Sequence, residues 1–305
     1  MTHPDWLWIP ITVFAAFAQT VRNATQRHLF ATLGTLGATW VRFLYGLPFA
    51  LVWLTAVYAT GDAPLPHPNL KFCAWVVASA SGQIAATALL LRVMAERNFA
   101  LGVAYAKSEV MQVAVFGLVF LGDPVSASLA VAIAFGTLGV LLLSPIDRKH
   151  PLRALATGWT TRVALLGVAS GAAFGFAAVG YRGSALALEG AGFVMAGAYT
   201  LVAAQLVQTV ALGCWFLLRD PGVVGRVLAA WRTSLLAGLM GAAASAAWFT
   251  ATAIEPAGPV RTLGLIELLF SYVVSRRIFR ERLTALEISG IVTLSVGLVI
   301  VTLVR

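Results

Sequence analysis

The run Tyr105-Ala-Lys-Ser-Glu-Val-Met-Gln112 holds the densest set of polar groups in an otherwise apolar part of the chain. Wound as a helix, it puts Tyr105, Glu109 and Gln112 on one face, at i, i+4 and i+7. Lys107 points almost the opposite way from Glu109, because two residues turn a helix by about 200°. The two charges therefore do not pair within this helix, and each needs water, a ligand or a group from another element. A carboxylate so placed can take a proton or meet an amino group. An ammonium can meet a carboxylate, while a phenol and an amide fix orientation by hydrogen bonding. The plan also recurs. Shifting by 158 residues carries Glu109 onto Glu267, Asp123 onto Glu281, Ser126 onto Thr284 and Gly139 onto Gly297 without a gap. An acid in a helix, an acidic turn and a glycine-bearing last helix at equal spacing imply an internal duplication.

The elements that position these groups belong in lipid. Hydrophobic residues make up 60% of the 305 and charged residues 11%, too little polar surface for a soluble domain of this length. A helix needs about 20 apolar residues to cross the hydrocarbon. Ten segments qualify: 6–27, 35–58, 72–92, 99–121, 125–145, 162–182, 191–218, 233–254, 257–279 and 284–304. Runs this long, without dominant period-two alternation, predict an all-α integral membrane protein with ten transmembrane helices rather than a barrel. The chain divides into halves 1–146 and 162–305 of five helices each, joined by a cytoplasmic linker over 147–161. In duplicated membrane proteins the substrate site lies near the midplane between the repeats. A bare charge there costs at least about 2.5–3.5 kcal/mol, so Lys107, Glu109 and Glu267 need a reason to be present.

Net charge is +9, but its placement argues against nucleic acid. Of 21 Lys and Arg, fifteen lie in or beside the odd-numbered connections, from Arg22 and Arg27 to the basic stop Arg276, Arg277, Arg280 and Arg282. Only Lys71, Arg182 and Arg305 lie on the opposite side. Cytoplasmic loops retain Lys and Arg, so both termini are predicted to be periplasmic. Met1-Thr-His-Pro-Asp-Trp6 lacks the basic region of a cleavable signal. Cys73 and Cys214 are isolated, and the four histidines, His3, His28, His67 and His150, lie in or near loops and the terminus. No metal-ligand cluster, phosphate loop or nucleophile elbow is visible. The reading is therefore not an enzyme, and no cofactor or metal is expected.

Further polar groups punctuate the helices. Gln19, Asn23 and Gln26 share a face beside Arg22, Gln83 and Thr87 share another, and Gln205 and Gln208 lie one turn apart. Gln19, Asn23, Gln83 and Gln205 are candidates to line a cavity, and solvation or helix packing explains them equally. Arg42, near the cytoplasmic end of the second segment, can snorkel to the headgroups. Gly167, Gly171 and Gly175 form a seam that lets a neighbouring helix approach. Trp248 can stack on a planar ligand. Arg261 opens the ninth segment, six residues before Glu267.

With these residues in view, the chain resembles the ten-helix EamA-like transporters of the drug/metabolite transporter superfamily over essentially its whole length. The family's Leu-Gly-Glu turn after helix four is matched by Leu121-Gly122-Asp123, and after helix nine by Phe279-Arg280-Glu281. Arg42 in Thr39-Trp-Val-Arg-Phe43 matches an arginine common early in the second helix. Where the family often has Glu-Pro, this chain has Glu109-Val110 and Glu267-Leu268, so no proline break is carried over. The resemblance implies two inverted five-helix repeats, a central cavity, and export of a small metabolite across a bacterial inner membrane. Its substrate is expected to be polar or zwitterionic, such as an amino acid, moved by alternating access with or without proton coupling. Tyr105, Lys107, Glu109, Gln112, Trp248, Arg261 and Glu267 form the expected binding set. Lys107 or Arg261 would meet a carboxylate, and Glu109 an amino group or proton. The rivals are efflux of organic cations, against which Lys107 and Arg261 weigh, and an intramembrane enzyme, for which nucleophile motifs are missing.

Overall fold

The structure is a computed structural model that describes residues 6–61, 65–109, 112, 131, 134–136, 138–139, 142, 161–188, 190–254, 260 and 263–304. Every regular element among them is a helix. We label these α1 (Trp8–Leu44), α2 (Leu47–Thr60), α3 (Leu70–Glu96), α4 (Phe99–Lys107) and α5 (Arg162–Leu186), followed by α6 (Phe193–Arg219), α7 (Pro221–Ala229), α8 (Trp231–Ile254), α9 (Ile266–Arg277) and α10 (Ala285–Val304).

By length and composition four helical stretches can cross a membrane: Trp8–Thr60, Leu70–Glu96, Arg162–Leu186 and Val194–Arg219. A fifth is added if Pro221–Ala229 and Trp231–Trp248, bent by 83°, count as one. The first stretch has 53 residues and would run about 80 Å if straight, more than twice the hydrocarbon thickness. It is not straight. Gly34 has φ 70° and ψ −178°, a conformation open essentially to glycine alone. Gln26 Nε2 also donates to the Ala38 carbonyl at 2.9 Å, across a separation that one helix would stretch to about 18 Å. The chain thus folds back at Gly34 into arms 8–33 and 35–60, which match the first two predicted segments. Pro48, lacking an N–H, begins α2 after the interruption at Tyr45 and Gly46.

The connection between predicted segments 191–218 and 233–254 is itself helical. Pro221 opens α7 at a position that needs no N–H, and Val223 and Val227 bury against the site of Gly37. The Tyr45 hydroxyl donates to the Val227 carbonyl at 3.2 Å. The predicted segment 125–145 falls largely outside the described residues, as does the turn carrying Asp123 and Ser126.

The chain forms two compact units, Met1–Ile84 with Phe176–Val260 and Ala85–Gly175 with Arg261–Arg305. Each draws on both halves of the sequence. In the first, α1 packs on α8 through small residues, with Ala15, Ala16 and Ala18 fully buried. A Cβ on Gly238 would collide with the Tyr45 carbonyl, so the two backbones meet directly, as suits association in lipid. Trp40 Nε1 donates to the Thr209 carbonyl at 3.0 Å, and an apolar cluster of Phe72, Val76, Ala187, Leu188, Ala196 and Ala204 fills another side.

In the second unit α4 is buried from Phe99 to Tyr105. Its first turn is held twice: Asn98 Oδ1 accepts from Leu101 N at 3.4 Å, and Glu281 Oε2 accepts from Phe99 N at 2.8 Å. The same Glu281 oxygen accepts from Ser275 Oγ at 2.6 Å. The acidic turn of the duplicated pattern is thus, at Glu281, a clamp between the end of α9 and the start of α4. Gly139 lies where a Cβ would sit 2.6 Å from Leu294 N of α10.

The fold-back at Gly34 is set by backbone conformation, since nothing lies within 4 Å of a Cβ placed there. Gly34→Ala is expected to cost about 1–3 kcal/mol through strain alone, read as a lower unfolding midpoint in detergent. An unchanged midpoint would mean the turn tolerates ordinary residues.

Candidate functional site

The polar side chains singled out by the sequence separate into two clusters, one inside each unit. In the second unit Lys107 Nζ and Glu267 Oε2 form an ion pair at 2.5 Å, with side chains 16% and 1% exposed. Lys107 occupies the last turn of α4 and Glu267 the first turn of α9. A cation is favoured at a helix C-terminus and an anion at an N-terminus, so both helix dipoles support this pairing. Neither end is made by proline. At the first, Ser108 N tightens onto the Tyr105 carbonyl at 3.0 Å, and the helical pattern resumes with Gln112 N on the Ser108 carbonyl at 3.1 Å. At the second, Glu267 N reaches the Gly264 carbonyl at 3.1 Å and Leu268 N the Leu265 carbonyl at 2.9 Å. Tight turns beside both acids therefore arise without a proline next to either.

The seam predicted on α5 positions the rest of this cluster. A Cβ on Gly167 would lie 2.5 Å from Tyr105 Cγ, and one on Gly171 would lie 2.7 Å from both Ser108 Oγ and Gln112 Nε2. Glycine at those two stations is what admits the tyrosine ring and the polar turn. Tyr105 is buried there. Gln112 Nε2 donates to Ser108 Oγ at 2.9 Å and to the Val168 carbonyl at 3.0 Å, while Ser108 Oγ donates to the Tyr105 carbonyl at 2.6 Å. Glu109 is half-buried on the turn that follows. Arg261 lies outside the described residues.

The first unit gathers the other described candidates together with several residues that the sequence reading had assigned to packing, solvation or the headgroups. Trp248 Nε1 donates to Gln19 Oε1 at 3.2 Å. Asn23 Oδ1 accepts from Arg22 Nε at 3.2 Å and from its NH2 at 2.8 Å. Gln83 Oε1 accepts from the Tyr181 hydroxyl at 2.5 Å and from Gln208 Nε2 at 3.1 Å, and Gln208 Nε2 also lies 3.1 Å from the Tyr181 oxygen. Arg42 lies near enough to Tyr181 for their charges to interact. Gln205 is buried against Gly46. Tyr181, Gln208, Arg22 and Arg42 stood outside the expected binding and cavity-lining sets. An arginine inside an apolar segment, one turn before Gly46, is the signal that was available for Arg42.

No protein-family model matches the chain, and no curated protein matches it. Among solved structures, one described in print as "Crystal structure of protein" is similar to it at a TM-score of 0.59 and 15% identity, over 97% of this chain and 96% of that one. The likeness is one of fold. It spans both chains nearly end to end.

Removing one partner of a buried ion pair strands the other, at about 3–5 kcal/mol. Lys107→Met and Glu267→Leu are each expected to lower the unfolding free energy by that order, and the double variant by less than their sum. The coupling energy should lie within about 0.5–3 kcal/mol. Additive losses in denaturant titrations would mean the two groups do not rely on each other.

Proposed function

We propose that this protein is a secondary transporter of the ten-helix drug/metabolite type, with two inverted five-helix repeats. On this reading it exports a small polar or zwitterionic metabolite, such as an amino acid, across a bacterial inner membrane by alternating access. The observation that carries the reading is the Lys107–Glu267 ion pair, joined at 2.5 Å between two helix ends in an apolar scaffold. A structural role alone would be filled as well by apolar residues of like volume, often with a gain in stability. A carrier has a use for the pair: when empty, its binding charges must neutralise each other before it can reorient in lipid. A zwitterion brings one charge of each sign. Its carboxylate replaces Glu267 at Lys107, its ammonium replaces Lys107 at Glu267, and the loaded state carries no more net charge than the empty one.

The surroundings suit that exchange. Glu109, half-buried two residues beyond Lys107, is the further acid that this reading assigns to a proton or a second amino contact. Gln112 and Ser108 offer neutral hydrogen bonds. The likeness to a solved structure over 97% of this chain is one of fold and leaves the transport reading to rest on the ion pair.

The test is counterflow of labelled amino acids in proteoliposomes. Wild type should exchange a zwitterion faster than its methyl ester, and Lys107→Met/Glu267→Leu, if folded, should lose about two orders of magnitude or more in flux, each lost charged contact being worth about 1.5–3 kcal/mol. Undiminished exchange by the folded double variant would overturn the assignment.

A further inference from the structure

Helices α9 and α10 of the second unit each pack on α4, and between the two runs a groove of about 760 Å³. Leu265, Leu269 and Tyr272 of α9 line it, with Ile288, Val292 and Ile300 of α10. Leu269 and Val292 stay 58% and 56% exposed, so its walls are open to whatever surrounds the helices. The hydroxyl that α10 brings to the groove, Ser295 Oγ, donates to its own helix at the Ile291 carbonyl, 2.7 Å away. An occupant therefore meets hydrocarbon along that wall. From Ile288 to Ile300 the helix rises about 18 Å, close to the depth of one leaflet, which is about 15 Å of the hydrocarbon core. A groove of that length fits an acyl chain.

One end of the groove is charged. Leu265, Leu269 and Tyr272 recur at i, i+4 and i+7, and Arg276 lies one turn further on the same face. Arg277, Arg280 and Arg282 follow in the connection that leads back to the Ile288 end of α10. All four arginines are exposed, and among the described residues none of them is in an ion pair. The carboxylates beside them are used within the fold. Glu281 Oε2 accepts from Phe99 N and Ser275 Oγ, while Glu287 takes Arg97 NH2 at 2.9 Å and Thr284 N at 2.7 Å. Orientation in the membrane is reason enough for a basic stop. It gives no reason for a leaflet-length apolar groove that ends on the same face.

We infer that this groove binds an anionic phospholipid, with one acyl chain between α9 and α10 and the phosphate held by Arg276 and the arginines beside it. Guanidinium groups match phosphate oxygens through paired N–H donors, and basic clusters beside membrane helices attract anionic headgroups. A choline headgroup would bring a further positive charge to this end. The inference goes beyond the transport reading and does not rest on it. It concerns lipid rather than cargo, so its failure would leave the Lys107–Glu267 assignment to its own test.

The experiment is native mass spectrometry of the full-length protein in a neutral detergent, titrated with dioleoylphosphatidylglycerol or dioleoylphosphatidylcholine. The anionic lipid is expected to bind about tenfold or more tighter. Arg276→Gln/Arg280→Gln should remove most of that preference. Arg219→Gln/Arg226→Gln, which takes two exposed arginines from the first unit, should leave it in place. Ser295→Phe, which fills the groove, should weaken both lipids by a similar factor. Equal affinity for the two lipids would overturn the site, and so would a preference lost alike in both arginine pairs, since that would mean diffuse charge. Displacement of the lipid by glycerol 1-phosphate at the same concentration would also overturn it, by showing that the chains contribute nothing. A dimer that Ser295→Phe splits, with no lipid preference, would show that a second copy of the chain covers the groove instead. Should Ser295→Phe not fold, the wild-type protein decides with dihexanoylphosphatidylglycerol. That short-chain lipid should bind at least about tenfold more weakly than the dioleoyl form, and equal affinity rejects the inference.

Discussion

A charge held in hydrocarbon must be answered by another charge or by water, and the second unit is arranged around one such answer. Lys107 and Glu267 close on each other at 2.5 Å. Each stands at the helix end whose dipole favours its sign. The rest of that unit reads as what is needed to bring those ends together. Glu281 fastens the start of α4 to the end of α9 through Phe99 N and Ser275 Oγ. Gly167 and Gly171 let α5 lie against Tyr105 and the Ser108 turn without intervening side chains. Close approach by glycine serves packing, and here packing sets the geometry of an ion pair.

The first unit meets the same constraint with neutral groups. Gln83, Tyr181 and Gln208 satisfy one another in a closed triangle, and Asn23 answers Arg22. The fold-back at Gly34 matters to this chemistry because it sets Arg22 and Arg42, distant along a continuous helix, against the same glycine of α8. One backbone conformation thereby decides which polar residues can be neighbours.

Much of the helix plan was legible because apolar runs of membrane-spanning length are a strong signal, and the breaks at Gly34 and near Gly61 fall where glycine and proline placed them. Glu109 and Glu267, set at matching stations by their spacing, each follow a tight turn in the backbone. The partner of Lys107 was not legible, since it comes from far along the chain and no local spacing encodes it. The same holds for Arg42, whose position alone fits snorkelling and whose neighbours Gly241 and Tyr181 appear only in three dimensions. Helix α7 was missed because nine residues are too few for a membrane span and fell in the connection between two predicted segments. The missing Glu-Pro motifs pointed away from helix breaks, yet the breaks are present. At Ser108 a hydroxyl bonded to the Tyr105 carbonyl ends the helix, and at Gly264 and Leu265 a tight turn starts the next.

Whether the Lys107–Glu267 pair opens for cargo is answered most directly by infrared difference spectroscopy on protein reconstituted in lipid, with and without a transported amino acid. If the pair is working machinery, substrate should shift a carboxylate stretching band that disappears in Glu267→Gln. A difference spectrum identical in wild type and Glu267→Gln, under conditions where the substrate is bound, would show that the pair stays shut and only holds the helices together.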